Sequence, residues 1–273
     1  MLGPILRLLA IIVGFTLFSL ALAEAAPRAE LWPRWEKHDP ASGVVVDHTA
    51  WERWLKAYVT AGADGIHRVA YARMTADDKA RLAAYVDALV AVPVDRLNRP
   101  EQRALWINLY NALTVKTVLA HYPVKSIRDI DISPGLFSSG PWGRKLVRIA
   151  GEEVSLDDIE HRILRPIWRD PRLHYAVNCA SLGCPNLPRE AFTGGNTERL
   201  LDEGARAYAT HPRGARIAEG RLVVSSIYVW FREDFGGSDT GVIEHLKRYG
   251  ARLDGRTRIE RDAYDWSLND DSR

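Results

Sequence analysis

The sequence predicts an α+β fold, a single domain of helices packed on a small antiparallel sheet behind an N-terminal signal peptide. Three observations lead there. Apolar residues recur at helical spacing over most of residues 48–121, two short stretches (145–154 and 215–225) read as hairpins, and strands and helices do not alternate as a parallel sheet would require. With a leader subtracted from its 273 residues, the chain is still long enough for one ample core.

MLGPILRLLAIIVGFTLFSLALAEAAPRAE opens with a positive charge at Arg7. An apolar run from Leu8 to Phe18 comes next, broken only by Gly14 and Thr16, then small residues offering cleavage sites that end at Ala23 or Ala25. This is the layout of a secretory signal peptide over 1–25, which places the mature chain in the periplasm or outside the cell. A retained anchor is the competing reading, since Leu8 to Ala23 approaches the roughly 17 residues of a short span; the small-residue site favours cleavage. No later stretch resembles a span, so no membrane contact is expected beyond the leader. Lys plus Arg number 37 against 35 Asp plus Glu, a net charge of +2 with no block of one sign. Nucleic acid is therefore not an expected partner, and a small molecule or peptide is.

Residues 26–69 form a lead-in and a helix. Asp47 is placed to cap HTAWERWLKAYV, in which Trp51, Trp54, Leu55 and Tyr58 share a face. The main domain runs from 70 to 269. Thr75 with Asp78 opens a helix closed by Pro93, and a second helix spans 100–121, apolar on every side from Ala104 to Ala120. Asn108 and Asn111 interrupt this cylinder a turn apart, and as buried amides they require partners, either as internal glue or as the wall of a polar pocket. GRKLVRIAGEEV reads as a hairpin turning at Gly151-Glu152; Ser155 with Asp158 caps the next helix, which Pro166 closes. LHYAVN alternates as a strand over 173–178, and Cys179 begins a loop of small and turn-forming residues. A helix capped near Asn196, a hairpin turning at Glu219-Gly220, a core-packed aromatic stretch IYVWFREDF, and a last helix capped by Asp239 and ended by Gly250 complete the chain.

In this order, LWINLYNALTV (105–115), SLDDIEHRILR (155–165), DPRLHYAVNCASLGCPNL (170–187), FREDF (231–235) and YDWSLN (264–269) resemble the family called domain of unknown function 547. The resemblance covers about residues 70–269. It implies a family found in bacteria and eukaryotes, in bacteria often with an export signal, for which no activity is established.

The chemistry is concentrated in HYAVNCASLGCPNL. A thiol hydrolase or acyl transferase, acting on an amide or ester bond in the cell envelope, needs a thiolate, an imidazole and a group that orients it. Strand alternation turns His174 away from Cys179, so Cys184 with His161 is the favoured pair. Asp157 or Glu160 would then orient the imidazole, with Asn178 or Asn111 as amide partner. Asn108, Asn111, His161, His174, Asn178, Cys179 and Cys184 are expected to converge on one polar concavity, with Trp106 and Trp142 as walls. The alternative is a non-catalytic binding or assembly module in which a Cys179–Cys184 disulfide shapes the loop.

Carboxylate-pair chemistry can also be assembled from Asp157, Glu160 or Asp234, but the separation that defines it is not readable from sequence. The spacing H-x12-H-x4-C-x4-C matches no usual zinc pattern, and neither a metal nor a cofactor is expected. No G-x-S-x-G elbow, phosphate-binding glycine loop or H-E-x-x-H helix is present.

Overall fold

The computed structural model describes residues 27–135 and 139–272, so the expected leader lies outside the described residues. Helix α3 (Arg99–His121) is the axis of the fold, with every residue from Glu101 to Val115 buried. Its start is fixed by Asn98, whose side chain accepts from the Glu101 N–H, and by Pro100 in the first turn, where a missing N–H costs nothing. Helix α1 (Thr49–Tyr58) packs on α2 (Ala76–Val90), and α2 packs on α3. Asp47 accepts from the Thr49 N–H at 2.8 Å but stands one residue before the cap position, which His48 takes. Trp51 and Trp54 stack at 4.8 Å inside the core. Trp106 is fully buried against Trp35, so it is core and no wall of a cleft.

Among the described residues, three small sheets replace the single one expected. β1 (Val59–Ala61) and β2 (His67–Val69) pair antiparallel; β3 (Val147–Ile149) and β4 (Glu152–Val154) form the first expected hairpin, turning at Ala150-Gly151. β5 (Ala215–Ala218) and β6 (Arg221–Ser225) form the second, with Glu219 and Gly220 both at positive φ, as a two-residue hairpin turn demands. β7 (Arg261–Ala263) then adds parallel to β6, so this sheet is mixed.

Residues 173–178 are not a strand. Pro171–Tyr175 is a 3-10 helix, opened by the Asp170 side chain accepting from the Arg172 N–H with Pro171 behind it. The alternation that suggests a strand has no exposed face to serve: Leu173 through Asn178 are all buried.

Ser155 and Asp158 cap each other reciprocally, at 3.1 Å from the Asp158 N–H and 2.8 Å from the Ser155 N–H. They open a π-helix, Asp158–Leu164, which runs into the short α4 (Arg165–Trp168). Such a widened turn is seldom stable alone and clusters at functional sites. Here the His161 and Arg162 carbonyls accept from Glu30 and Trp32 N–H groups, 2.9 Å each, so residues 27–32 lie as a strap along it. Helix α5 (Thr197–Ala209) packs on α3 and on the 3-10 turn. A second core cluster gathers Tyr175 and Phe235, from the 3-10 turns Pro171–Tyr175 and Arg232–Phe235, with Tyr208, Tyr228, Val242 and Leu246 from α5, α6 (Ile227–Trp230) and α7 (Asp239–Arg248), the last capped by Ser238 one residue before the expected Asp239. No helix among the described residues is long and apolar enough to cross a membrane.

Candidate active site

The cysteine loop is shaped by amides. Asn111 on α3 accepts from the Asn178 N–H (2.8 Å) and donates to the Ala176 carbonyl (2.9 Å). Asn178 donates to the Pro185 carbonyl (2.7 Å) and accepts from the Ala180 N–H (2.9 Å), pinching the loop across its neck. The outer edge is tied to the C-terminal segment, Leu182 N–H to the Ser267 carbonyl and Gly183 N–H to the Asp265 carbonyl, both 2.8 Å. A side chain at 183 would meet the Asp265 backbone at 2.8 Å, so only glycine permits that approach. Asn108 does the same for a different loop, exchanging both amide bonds with Phe192. Both helical asparagines are thus internal ties, and Asn111 is the one that supports the cysteines.

Both cysteines are free thiols, and their sulfurs stand 3.0 Å apart. They differ in surroundings. Cys184 is buried, 4% exposed, and its sulfur accepts from the Cys179 N–H at 2.9 Å. Cys179 is partly exposed, and besides Cys184 its sulfur lies 3.0 Å from the Tyr264 hydroxyl and 3.3 Å from the Ser181 hydroxyl. Ser181 in turn donates to Tyr264 at 3.0 Å, leaving the phenolic proton to point at sulfur. The contact with Cys184 lowers the Cys179 thiol pKa; burial opposes it, and the two hydroxyls reinforce it. Burial raises the Cys184 thiol, and the neighbouring Cys179 raises it further. One sulfur is poised to ionise and the other to stay protonated.

Beside the dithiol lies an ionic cluster. His174 presents Nε2 to Asp234 Oδ2 at 2.7 Å and Nδ1 to Glu160 Oε1 at 3.7 Å. Burial alone would strip its proton, but the bonds to these two carboxylates outweigh burial and raise its pKa. Asp234 also accepts from Arg165 Nε at 2.6 Å, and the same guanidinium donates to the Pro27 carbonyl and to His161 Nδ1, 3.0 Å away. Arginine has no acceptor, so His161 Nδ1 takes the proton bond with its lone pair and Nε2 carries the hydrogen, facing Asp157 Oδ1 at 3.7 Å. Desolvation, aided by Arg165, lowers the His161 pKa to about 4, so this imidazole is neutral. Burial favours the acid form of Glu160, yet the adjoining imidazoles and Arg165 hold it ionised, down to about 2. Phe231 backs the cluster, stacked on His174 at 4.4 Å with Arg165 above the same ring.

Asp157, Glu160, His161 and His174 thus form one cluster and Asn178, Cys179 and Cys184 another, with the Glu160 charge opposing ionisation of Cys179. Burial, followed by Glu160 and both thiols, pushes the Tyr110 phenol of α3 well above its ordinary value, Asp157 adding a smaller share. Among the described residues neither sulfur is hydrogen-bonded to an imidazole, so His161 and His174 serve the carboxylates and not the thiols. Trp142, edge-on to Trp266 at 5.7 Å, continues through Trp230 and Tyr264 as a partly exposed aromatic wall reaching Cys179. A hollow of about 400 Å³ reaches Arg165 and Asp234 past Leu31, Asp170 and Glu233; a larger one, about 590 Å³, lies at the start of α1 and touches none of these groups. No set of three or more His, Cys, Asp or Glu side chains among the described residues is arranged to hold a metal ion.

Sequence reasoning does not single out Arg165, Ser181, Phe231 or Tyr264, and it reaches Asp234 only as a generic carboxylate. The sole signal is that each falls within or beside one of the quoted motifs.

Residues 94–209 match the model of a family described as "Protein of unknown function, DUF547". This segment belongs to the DUF547 family. It takes in α3, the π-helix, the cysteine loop and α5, but stops short of Asp234 and Tyr264. The DUF547 segment thus supplies both thiols, both histidines and Glu160, while the two groups that complete their hydrogen bonding come from the chain beyond it. No curated protein and no solved structure matches the chain.

Proposed function

We propose that the protein is a thiol-dependent hydrolase or acyl transferase of the cell envelope, with Cys179 as the nucleophile towards an amide or ester carbonyl. The observation that carries this is the asymmetry of the thiols: Cys179 is partly exposed and hydrogen-bonded by Tyr264 and Ser181, whereas Cys184 is buried. Nucleophilic catalysis needs a thiolate in an accessible position, and the Tyr264 phenol beside the sulfur favours one without an adjacent imidazole base. The attacking sulfur forms a thioester, which water or a second acceptor cleaves. Trp142, Trp230 and Trp266 offer an apolar bank for the acyl group. The leader read at residues 1–25 supports export, and peptides of the envelope are the substrate class that fits.

The test is acylation by p-nitrophenyl acetate. A burst of p-nitrophenolate with the acetyl group on the Cys179 peptide is expected, and Cys179→Ser abolishes it. An intact protein that gives neither burst nor adduct rules the reading out.

A second reading is a non-catalytic binding or assembly module held by a Cys179–Cys184 disulfide. It is favoured by Asn108, Asn111 and His174, which are buried and turned to partners within the fold. Thiol counting on the native protein separates the two.

A further inference from the structure

The distance between the two sulfurs has a meaning that acyl transfer does not use. At 3.0 Å, Cys179 and Cys184 need approach by only about 1 Å to reach the bonded separation. The loop that holds them is braced from both sides, by Asn111 and Asn178 within and by Asp265 and Ser267 without. Closing the bond therefore requires little movement of the backbone. Cys179 is partly exposed and Cys184 is covered, so an incoming molecule meets them in a fixed order.

We infer that Cys179 and Cys184 form a reversible dithiol/disulfide couple that exchanges with disulfides of polypeptides or small thiols, Cys179 attacking and Cys184 resolving. In the first step the Cys179 thiolate attacks one sulfur of the partner's disulfide. That S–S bond breaks, and its other sulfur leaves with the electron pair and takes a proton from water. In the second step Cys184 loses its proton to solvent and attacks Cys179 Sγ, breaking the mixed disulfide and releasing the partner's second thiol. The couple loses two electrons, the partner gains two, and a donor thiol run through the same steps in reverse restores the dithiol.

Two features of the site serve the separate steps. The Tyr264 and Ser181 hydroxyls lie 3.0 and 3.3 Å from the attacking sulfur, and both favour its ionised form. The Cys179 N–H points at the resolving sulfur, 2.9 Å away, and stabilises the charge that Cys184 must develop when its turn comes. Tyr264 is accordingly a positioning residue, whose loss moves the pH profile of the first step.

This inference shares Cys179 with the acyl-transfer reading but does not depend on it. The test uses oxidised glutathione on the wild-type chain and on Cys184→Ser, with mass spectrometry and release of free glutathione as readouts. The wild type is expected to release both halves of each glutathione disulfide and end as the Cys179–Cys184 disulfide, with no lasting adduct. The Cys184→Ser chain should release one half and retain the other on Cys179. Accumulation of a stable adduct on the wild type overturns the inference, as does failure of oxidised glutathione to react with a wild-type chain whose Cys179 is still alkylated by iodoacetamide. Closure without ester acylation ends the acyl reading alone, and acylation without closure ends this one alone.

Discussion

His174 Nε2 lies 2.7 Å from Asp234 Oδ2, joining residues 60 positions apart across the boundary of the DUF547 segment. Asp234 serves two cations at once, since Arg165 shares the same carboxylate oxygen. Asp234→Asn leaves a buried imidazolium and a buried guanidinium facing one neutral amide. Removing one partner of a buried ion pair typically costs 3–5 kcal/mol. Because the Asp234 side chain is 22% exposed, a loss of about 3 kcal/mol is expected in urea unfolding. An unchanged midpoint would show that the cluster holds nothing together.

Acid weakens the fold before the carboxylates titrate. Burial lowers His48, His161 and His245 each to about 4 from an ordinary 6.5. The unfolded chain binds protons at these positions first, so stability is complete above pH 6.5, falls between 6.5 and 4, and levels below. His174 works in the opposite sense: its raised pKa contributes fully below 6.5 and is lost as pH climbs through the folded value. Glu160 and Asp234, both depressed, lose their contribution only at lower pH, as each is protonated in the fold. The lowered imidazoles predict a urea midpoint that drops steadily from pH 6.5 to 4, an interval over which the contribution of His174 is constant. A flat profile over that interval would contradict the burial of neutral histidines.

Asn111→Leu strands the Ala176 carbonyl and the Asn178 N–H inside the core. Each unsatisfied buried group costs about 1–3 kcal/mol, so a total near 3 kcal/mol is expected from thermal or urea denaturation. Asn108→Leu, which strands the Phe192 N–H and carbonyl, should cost a similar amount yet leave Cys179 labelling unaltered. Equal effects of the two variants on labelling would deny Asn111 its special link to the cysteine loop.

Iodoacetamide should alkylate Cys179 well before Cys184 in the native protein, with a midpoint below the ordinary thiol value of about 8.5. Tyr264→Phe removes one hydroxyl from the sulfur and should raise that midpoint by about one unit. Stopped-flow or quenched labelling across pH 6–10 measures both, and a midpoint insensitive to Tyr264 would sever the phenol from the thiol's ionisation.

Much of this architecture is legible in residue order alone. α2 and α3 declare themselves through Thr75 and Pro100 and through helical spacing, and β5–β6 through Glu219-Gly220, because caps and two-residue turns are decided by neighbours. The capping pair Ser155 and Asp158 is likewise local. The segment 173–178 deceives because alternation marks a strand only when one face meets water, and here both faces are buried. The π-helix leaves no local mark: its leftover carbonyls are met by Glu30 and Trp32, more than a hundred residues earlier. The same holds for the site. Histidines and cysteines can be picked out by type, but the pairing of His174 with Asp234, and of Cys179 with Tyr264, arises from chain segments that meet only in the folded state.

Phe231 touches the His161 ring, the His174 ring and the Arg165 guanidinium at once. One benzene ring is therefore the common neighbour of two histidines brought from different stretches of the DUF547 segment. A shift of α6 that lifted this ring would unseat both imidazoles and the guanidinium together, so the charges here rearrange in concert and not one by one.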